Sequence, residues 1–291
     1  MNAFTIRDLE NLSGIRAHTI RIWEQRYSFL KPRRTQTNIR YYDSDELKTI
    51  LNVALLNKNG YRVSSIDKMT VEEISDKILS LGSSTARHDM LINDMLKQMI
   101  DLNPNEFEKI VDAYIAANGI EGAIKNLVFP FLTKVGILWM TNHVRVAQEH
   151  LVSNIVRQKL IRGIEDIKLK TNGSKVIVLF LPDGEYHELG LLYVQYLLKL
   201  RGKETIYLGA DVPVEELAYV CSTKQPCILY THLTSLPSKF NFEKYLSLIG
   251  QNTNNTPLVI SGRVTQAYTK KIPAGVSFGK SLEDVIDQLA A

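Results

Sequence analysis

Residues 176–190 read VIVLFLPDGEYHELG, and this stretch decides the fold of the second half of the chain. A continuous apolar run is followed by a turn and then by a helix that we expect to begin at about Glu188. Helix-like stretches also follow three further apolar runs, at residues 205–208, 228–230 and 258–260. Apolar strands that alternate with helices predict a doubly wound parallel sheet, an α/β Rossmann-like domain over residues 173–291 that begins after the turn Thr171-Asn172-Gly173.

The turn after the first predicted strand contains a second pattern, Glu185-x-His187-x-x-Gly190. Ligand sites of doubly wound sheets lie at the carboxyl ends of the strands, so this histidine stands where a ligand binds. An acid two residues earlier can hydrogen-bond the second ring nitrogen, and a glycine in the first helical turn permits close approach of the backbone. A lone loop histidine is usually a solvated side chain, whereas this combination predicts a ligand site.

The middle of the chain, residues 85–170, has apolar residues at helical spacing and hardly any strand signal. We expect four amphipathic helices, the third with a kink at Pro130, joined by short turns into a four-helix bundle. The stretch Leu81–Thr85 is the expected linker to the preceding domain. The predicted architecture is therefore multidomain, with a head of residues 1–81, the bundle and the sheet domain.

Positive charge is concentrated in the head. Residues 1–42 contain eight Lys and Arg against three acidic residues, a net charge of +5, whereas the whole chain carries +4. A basic segment joined to an almost neutral body is typical of a nucleic-acid contact. This segment is predicted to form a helix from Thr5 to Ser13-Gly14, a second helix from about His18 to Arg26, and a basic hairpin, Leu30–Tyr42.

The second helix places His18, Arg21 and Gln25 on one exposed face, because positions three and four apart share a side. It is a candidate recognition helix, and arginine and tyrosine side chains on the hairpin suit contacts to DNA phosphates. The arginine run alone is also compatible with an ordinary charged surface. The head as a whole, at residues 1–81, is predicted to be a winged helix-turn-helix.

The motifs of the head resemble those of the MerR family of transcription regulators. They are Arg21-Ile22-Trp23-Glu24 in the second helix, and Pro32-Arg33-Arg34 and Arg40-Tyr41-Tyr42 in the hairpin, or wing. The resemblance implies that the chain binds a double-stranded DNA operator as a dimer. The expected DNA-binding residues are Arg16, His18, Thr19, Arg21, Arg33, Arg34, Arg40 and Tyr42.

The pattern Glu185-x-His187-x-x-Gly190 resembles the Asp/Glu-x-His-x-x-Gly signature of cobalamin-binding domains. The resemblance implies that His187 is the lower axial ligand of cobalt, in place of the benzimidazole base, and that the nucleotide tail threads into the sheet. Thr231-His232-Leu233 keeps the hydroxyl of that family at the end of the third strand. Ser261-Gly262 stands where the family has Gly-Gly, so a side chain points where the tail passes.

Trp139 and Glu149-His150 form a Trp-x9-Glu-His spacing. Taken alone, these residues are explained equally well by ordinary structural roles, a tryptophan in the core and a solvated pair on a helix, as by a cofactor site. The spacing resembles that of cobalamin-sensing regulators related to MerR, whose bundle covers the upper ligand, typically an adenosyl group. The resemblance implies cobalamin, adenosylcobalamin above all, as the cofactor and His187 as the metal ligand. The expected cofactor-binding residues are Trp139, Glu149, His150, Glu185, His187, Gly190, Thr231, Leu233, Ser261 and Gly262.

Two departures from these families bear on mechanism. Light-responsive members carry a histidine directly after the tryptophan, where this chain has Met140, and His143 is the only nearby substitute. The dimerising coiled coil of typical MerR proteins is missing after Leu81. We therefore expect a homo-oligomer, a dimer or tetramer, that assembles through the bundle and sheet domains.

Three functions stay open at this point. The first is a cobalamin-controlled transcriptional regulator, a repressor that either does or does not also respond to light as a photoreceptor. The second is a cobalamin-independent regulator with a vestigial or protein-binding pocket, which Ser261 and Met140 favour. The third is a corrinoid carrier protein of a methyltransferase system, although a carrier has no use for a basic winged helix.

Other classes are disfavoured by the sequence. Paired carboxylates, an activated nucleophile and a phosphate-binding glycine loop are not found, so we do not expect an enzyme. Neither a signal peptide nor an uncharged apolar stretch of about 18 residues is found, which predicts a cytoplasmic protein without a membrane partner. Cys221 and Cys227 are expected to be small buried hydrophobes.

Overall fold

The computed structural model describes residues 4–168, 176–235 and 240–290. The chain divides into two compact units, Met1–Val156 and Arg157–Ala291, and the boundary falls inside one helix. Each unit is described by itself below. The expected turn Thr171-Asn172-Gly173 and the boundary between bundle and sheet domain lie outside the described residues.

The first unit begins with the predicted winged helix-turn-helix. Thr5 and Asp8 form a capping box at the start of the first helix, and Gly14 ends it with a φ of 74°, a conformation that favours glycine. The wing is a short antiparallel hairpin that pairs Arg33 with Tyr41. The elements are α1 (Ile6–Ser13), α2 (Ala17–Arg26), β1 (Arg33–Arg34), β2 (Arg40–Tyr41), α3 (Ser44–Lys58), α4 (Val63–Ile66) and α5 (Val71–Ser80).

Long helices form the rest of this unit. They are α6 (Ser84–Ile100), α7 (Pro104–Ala123), a π-helical turn (Ile124–Val128), α8 (Phe129–Met140) and α9 (Val146–Glu165), whose second half belongs to the other unit. The break in the helical backbone lies at Gly119, with φ 73° and ψ 170°, before the predicted third helix. Pro130 lies in the first turn of α8, directly after the π-helical turn, and the kink expected there stays a prediction.

The expected linker at Leu81–Thr85 is a tight turn between packed helices. Only residues 81–83 lie outside α5 and α6, and the hydroxyl of Ser83 caps α6 by accepting from the backbone of Ala86. Helix α3 of the head packs along α6. A separate head of residues 1–81 and a bundle of residues 85–170 thus stay a prediction, because the first compact unit, Met1–Val156, joins the head to most of the bundle and ends inside α9.

A buried polar chain also joins the head to the long helices. Lys134 on α8 donates to the side-chain oxygen of Asn93 on α6 at 3.0 Å, and Asn93 donates to that of Asn52 on α3 at 2.9 Å. Burial lowers the pKa of Lys134 below its ordinary value. Buried amides are costly unless they are paired, so this chain fixes how α3, α6 and α8 pack.

The stretch Pro104–Met140 is long and apolar enough to pass a test for a membrane-spanning helix by length and composition. It contains Glu121, Lys125 and Lys134, so it is not the uncharged apolar stretch of about 18 residues whose absence the sequence indicates. The break at Gly119 divides the stretch, and Phe107, Val111 and Phe131 are buried in the core of the unit. These side chains account for its hydropathy as the core of a helical unit.

The second unit contains the predicted doubly wound sheet, which is confirmed. The elements are β3 (Ile177–Pro182), α10 (Leu189–Leu200), β4 (Thr205–Val212), α11 (Val214–Lys224), β5 (Ile228–His232), α12 (Phe242–Asn252), β6 (Leu258–Ser261), α13 (Arg263–Ala267), β7 (Val276–Phe278) and α14 (Leu282–Ala290). The five strands are parallel in the order β4-β3-β5-β6-β7. The strand order reverses beside β3, so the carboxyl ends of β3 and β5 flank the usual ligand site of such a sheet.

The core of this unit explains its sequence pattern. All six residues of β3 are buried, because helices cover both faces of the sheet. Cys221 is buried as expected, and neither cysteine forms a disulfide. Cys227 is only partly buried, and its thiol donates to the carbonyl of Val176.

Candidate functional site

The recognition helix α2 presents a polar face to solvent. His18, Arg21 and Gln25 are exposed, whereas Ile20 and Trp23 are buried in the head. Arg16 precedes the helix and is also exposed, and Thr19 is partly exposed. This exposed face supplies charged and amide groups that can reach base edges in a major groove.

A carboxylate joins this helix to the wing. Glu24 of α2 accepts a hydrogen bond from Nε of Arg40 at 3.0 Å and another from the hydroxyl of Tyr42. Tyr42 is fully buried, and burial, together with Glu24, raises the pKa of its phenol. The prediction of a DNA contact from the Tyr42 side chain is therefore wrong, because it packs inside the head.

The tip of the wing is held in shape by its own side chains. Arg34 donates to the side-chain oxygen of Asn38 at 2.7 Å, and Asn38 has a φ of 64° in the turn. Arg33 lies 3.4 Å from Asp43, and both arginines are exposed. A basic and ordered tip of this kind suits contacts to the DNA backbone.

In the sheet unit, the loop after β3 presents His187. Its side chain is 55% exposed, and Nδ1 lies 2.6 Å from Oε1 of Glu185. Because Nδ1 takes this contact, Nε2 is the ring nitrogen that can bind a metal. The histidine is therefore oriented as a metal ligand requires.

Glu185 is fully buried, and its hydrogen bonds join two loops. Oε1 also accepts from the backbone N–H of His187 at 3.0 Å, and Oε2 accepts from the N–H groups of Thr234 at 2.9 Å and Ser235 at 2.7 Å. Burial raises the pKa of Glu185, but the hydrogen bonds from His187 and Ser235 outweigh it and hold the pKa below its ordinary value. A charged carboxylate thus fixes the His187 loop to the loop after β5.

Two further acids position this loop. Asp211 at the end of β4 has a φ of 59° and accepts from the backbone N–H of Gly184 at 2.9 Å. Glu188, next to His187, accepts from the hydroxyl of Tyr207 at 3.0 Å and lies 2.9 Å from the guanidinium of Arg157. Residues from β4 and α9 therefore hold both ends of the loop.

At the ends of β5 and β6, His232 is packed into the sheet. A Cβ atom on Gly190 would lie 2.6 Å from Cδ2 of His232, so the imidazole rests directly on this glycine. Nδ1 of His232 lies 2.8 Å from Oγ of Ser261, which also lies 2.7 Å from the hydroxyl of Tyr230. We call Gly190, Tyr230, His232 and Ser261 the His232 cluster. Beside it, the buried hydroxyl of Thr231 has no hydrogen-bond partner within the described residues.

The candidate residues of the first unit lie near the end of α8 and the start of α9. Trp139 is 46% exposed, His150 is also exposed, and Glu149 accepts from the hydroxyl of Ser153. Their expected meeting with His187 stays a prediction, because His187 belongs to the other unit. His143, the expected substitute ligand, instead contacts the head: its ring lies 3.2 Å from Asp8 and beside Phe4.

Comparisons with known proteins identify two kinds of domain in the chain. Residues 4–72 match the family model described as MerR HTH family regulatory protein, and residues 91–162 match the model described as B12 binding domain. The chain carries a MerR-type helix-turn-helix domain and a B12 binding domain. The second match falls on helices α6 to α9, which include Trp139, Glu149 and His150.

Two relatives align over nearly the whole chain. The chain is 26% identical over 284 residues to the HTH-type transcriptional repressor CarA of Myxococcus xanthus, covering 97% of this chain and 94% of CarA. It is 26% identical over 272 residues to the HTH-type transcriptional repressor CarH of the same organism, covering 91% and 90%. The monomethylamine corrinoid protein of Methanosarcina barkeri shares the fold, with a TM-score of 0.55 and 14% identity over 68% of this chain and 96% of that one.

The residues around His187 suit a corrinoid at its cobalt end and not at its tail end. His187 and the buried Glu185 form the histidine–acid pair that a lower cobalt ligand needs, and the unpartnered hydroxyl of Thr231 suits a polar ligand. The tail, however, is expected to pass Ser261-Gly262, and the imidazole of His232 lies there, between Ser261 and Gly190. The same applies at Gly262, where a Cβ atom would lie 2.3 Å from the carbonyl oxygen of Leu233.

Several residues of these sites have no signal in the sequence that shows their role. Glu24 and His232 lie inside recognised motifs but received no role, because a motif match does not show which side chains face each other. Asp211 and Arg157 gave no local signal, since they reach the His187 loop from elements distant in sequence. For Asp211, the one available hint was its place in the loop after the second strand.

Proposed function

We propose that this protein is a transcriptional repressor that binds double-stranded DNA through its MerR-type head under the control of a corrinoid of the cobalamin type. The observation that carries this proposal is the pairing of the exposed His187 with the buried Glu185 in a chain whose head presents a basic recognition helix. The repressors CarA and CarH, which align over nearly the whole chain, support it. The role is regulatory and not enzymatic, and we place it in the cytoplasm.

Each group of residues has a distinct task in this proposal. Arg16, His18, Thr19 and Arg21 enter the major groove, and Arg33 and Arg34 contact phosphates. Arg40 positions the wing through its hydrogen bond to Glu24. These assignments follow from exposure on the helix and the wing, since phosphate contacts position a protein and base contacts specify its site.

On the cofactor side, Nε2 of His187 would hold the cobalt of a bound corrinoid, and Glu185 would orient the ring and strengthen its donor character. Trp139, Glu149 and His150 would contact the corrinoid from the helices, and Gly190, Thr231, Leu233, Ser261 and Gly262 would contact it from the sheet unit. A bound corrinoid would supply cobalt–ligand chemistry, with an adenosyl ligand as the proposed signal. A change in that ligand controls DNA binding only if it stabilises one assembly of subunits over another.

Assembly and light are the finer parts of the proposal. We propose that the subunits form a dimer or tetramer through the bundle and sheet regions, because no long coiled coil follows α5. A light response would be less complete than in relatives with a histidine after the tryptophan. Met140 cannot replace an imidazole at cobalt, and His143 is engaged with Asp8.

The test is a visible absorption titration of the full chain with adenosylcobalamin in the dark, combined with an operator-binding assay. Binding of cobalt to His187 displaces the benzimidazole and shifts the spectrum, and His187→Ala should abolish this shift. Glu185→Gln should weaken binding by roughly 10–100-fold, as expected for a partner that orients a metal ligand. A spectral shift that survives in His187→Ala would contradict the assignment.

One alternative is a corrinoid carrier. The methanol–corrinoid protein of Methanosarcina barkeri is 26% identical over 132 residues, which cover 43% of this chain. The basic head, with its exposed Arg21, Arg33 and Arg34, favours the regulator. A second alternative, a regulator without cobalamin, is favoured by Ser261 and Met140, and DNA binding that is indifferent to any corrinoid would support it.

A further inference from the structure

The chain obstructs its own proposed corrinoid site. In the His232 cluster, the imidazole of His232 lies directly on Gly190. A Cβ atom added to Gly190 would lie 2.6 Å from Cδ2 and 2.8 Å from Nε2 of this ring. A glycine in the first turn of a helix leaves room for close approach of another group. Here that room is taken by a side chain of the same protein.

Hydrogen bonds hold the imidazole in this place. Oγ of Ser261 lies 2.8 Å from Nδ1 of His232 and 2.7 Å from the phenol of Tyr230, which is fully buried. Burial lowers the pKa of His232, so the ring is neutral at neutral pH and tolerates the apolar surroundings of the strand ends. The hydroxyl of Ser261 thus holds the imidazole of His232 in place, which a glycine at this position could not do.

Gly262, the second glycine of the site, is also in close contact with another part of the chain. Gly262 has a φ of 100°, and a Cβ atom there would lie 2.3 Å from the carbonyl oxygen of Leu233 and 2.9 Å from its nitrogen. The backbone directly after β5 therefore fills the close approach that Gly262 permits. Gly190 and Gly262 thus contact residues 232 and 233.

We propose that His232, anchored by Ser261, excludes the nucleotide tail and makes the protein selective for corrinoids that lack it, of the cobinamide type. This inference rests on the proposed function and names the ligand class of the same site. A corrinoid without a tail has no benzimidazole base, but it does not need one, because His187 supplies the lower nitrogen ligand from the protein.

The expected selectivity follows from what a tail must displace. A tail that passes Gly190 has to break the hydrogen bond between His232 and Ser261 and move a packed ring into solvent. One net hydrogen bond with its packing corresponds to about a tenfold loss of affinity. Cobinamide has no tail and leaves the ring of His232 in place, so it should bind about tenfold more tightly than cobalamin.

The experiment compares two probes, aquocobalamin and diaquocobinamide, by absorption titration of the full chain. The wild-type protein should prefer cobinamide. His232→Ala should raise the affinity for cobalamin and leave that for cobinamide within about twofold, which also reports that the variant is folded. His232→Ala with Ser261→Gly should raise the affinity for cobalamin further. Tyr230→Phe is the matched control, because it removes the other contact of Ser261 and leaves His232 in place.

The outcomes separate this inference from the proposed function. Wild-type preference for cobalamin, or a cobalamin-to-cobinamide ratio that is unchanged in His232→Ala, overturns the inference and leaves the regulator intact. If the variants do not fold, the wild-type ratio decides alone. Failure of the wild-type protein to bind either corrinoid contradicts the proposed function itself, and with it the inference.

Discussion

Nδ1 of His143 lies 3.2 Å from Oδ1 of Asp8, which joins the loop after α8 to the first helix of the DNA-binding head. Asp8 is almost fully buried, and its other oxygen accepts from the backbone N–H of Thr5 at 2.7 Å in the capping box of α1. One carboxylate therefore both starts the first helix and contacts the segment that follows Trp139. A displacement at the end of α8 therefore acts directly on α1, the first helix of the head.

Replacing His143 should loosen this junction. His143→Ala removes an imidazole that lies beside Phe4 and 3.2 Å from a buried carboxylate, and should lower the free energy of unfolding by about 0.5–3 kcal/mol in a urea titration. Met140→Ala is the matched control, because its side chain is exposed three residues earlier. Equal urea midpoints for His143→Ala and the wild-type protein would show that the contact contributes nothing.

The wing arginines should control affinity and not sequence preference. Arg33→Ala and Arg34→Ala should each weaken binding to all duplexes and reduce the slope of log K against log salt by about one unit. Lys224→Ala, an exposed lysine at the end of α11 in the other unit, serves as the control for net charge. An unchanged salt slope in the double arginine variant would exclude the wing as a phosphate contact.

Arg21 should behave differently, because it lies on the exposed face of α2 and not on the wing. Arg21→Ala should relax the preference at one or two base pairs of the operator by about 1–3 kcal/mol per lost contact. Competition binding with single-base operator variants measures this effect. A uniform loss across all operators would instead make Arg21 another phosphate contact.

The buried Glu185 should make the sheet unit sensitive to acid. Its pKa is held below the ordinary value of 4.5, so its contribution to stability is fully present above that pH and is lost as the pH falls through the lowered value. Hydrogen exchange of the β3 amides, compared between the wild-type protein and Glu185→Gln, should show a difference that shrinks below about pH 4.5. A difference that grows on acidification has the wrong sign for this explanation.

Cofactor state and oligomeric state should change together. We expect adenosylcobalamin in the dark to raise the oligomeric order and tighten operator binding, because additional heads add phosphate contacts. Size-exclusion chromatography with and without the cofactor, before and after illumination, measures this. His187→Ala should elute identically under all conditions, and a wild-type elution volume that ignores the cofactor would separate assembly from corrinoid binding.

The sequence predicted most of the sheet because buried parallel strands are continuous apolar runs, as in β3. It missed β7, whose three residues are too few for a periodic signal. It gave no sign of the break at Gly119, because an isolated glycine inside a helical pattern is tolerated. Local pattern shows the type of an element better than where its backbone bends.

The candidate sites were predictable to a similar degree. Spacing indicated the pair Glu185 and His187, because both lie in one loop and interact directly. It could not show that Tyr42 is buried, or that His232 contacts Gly190 and Ser261, because these contacts join residues 18 to 42 positions apart that only the fold brings together. The role of a side chain outside its own loop depends on tertiary packing.

The hydrogen bonds of Glu24 to Arg40 and Tyr42 fix the angle between the recognition helix and the wing. The protein therefore holds its major-groove contact and its phosphate contact at a fixed distance from each other. The DNA has to deform so that it meets both contacts. Base pairs between the two contacts, which no side chain touches, should therefore influence operator choice through their stiffness. A flexible pyrimidine–purine step there should bind more tightly than a rigid A-tract.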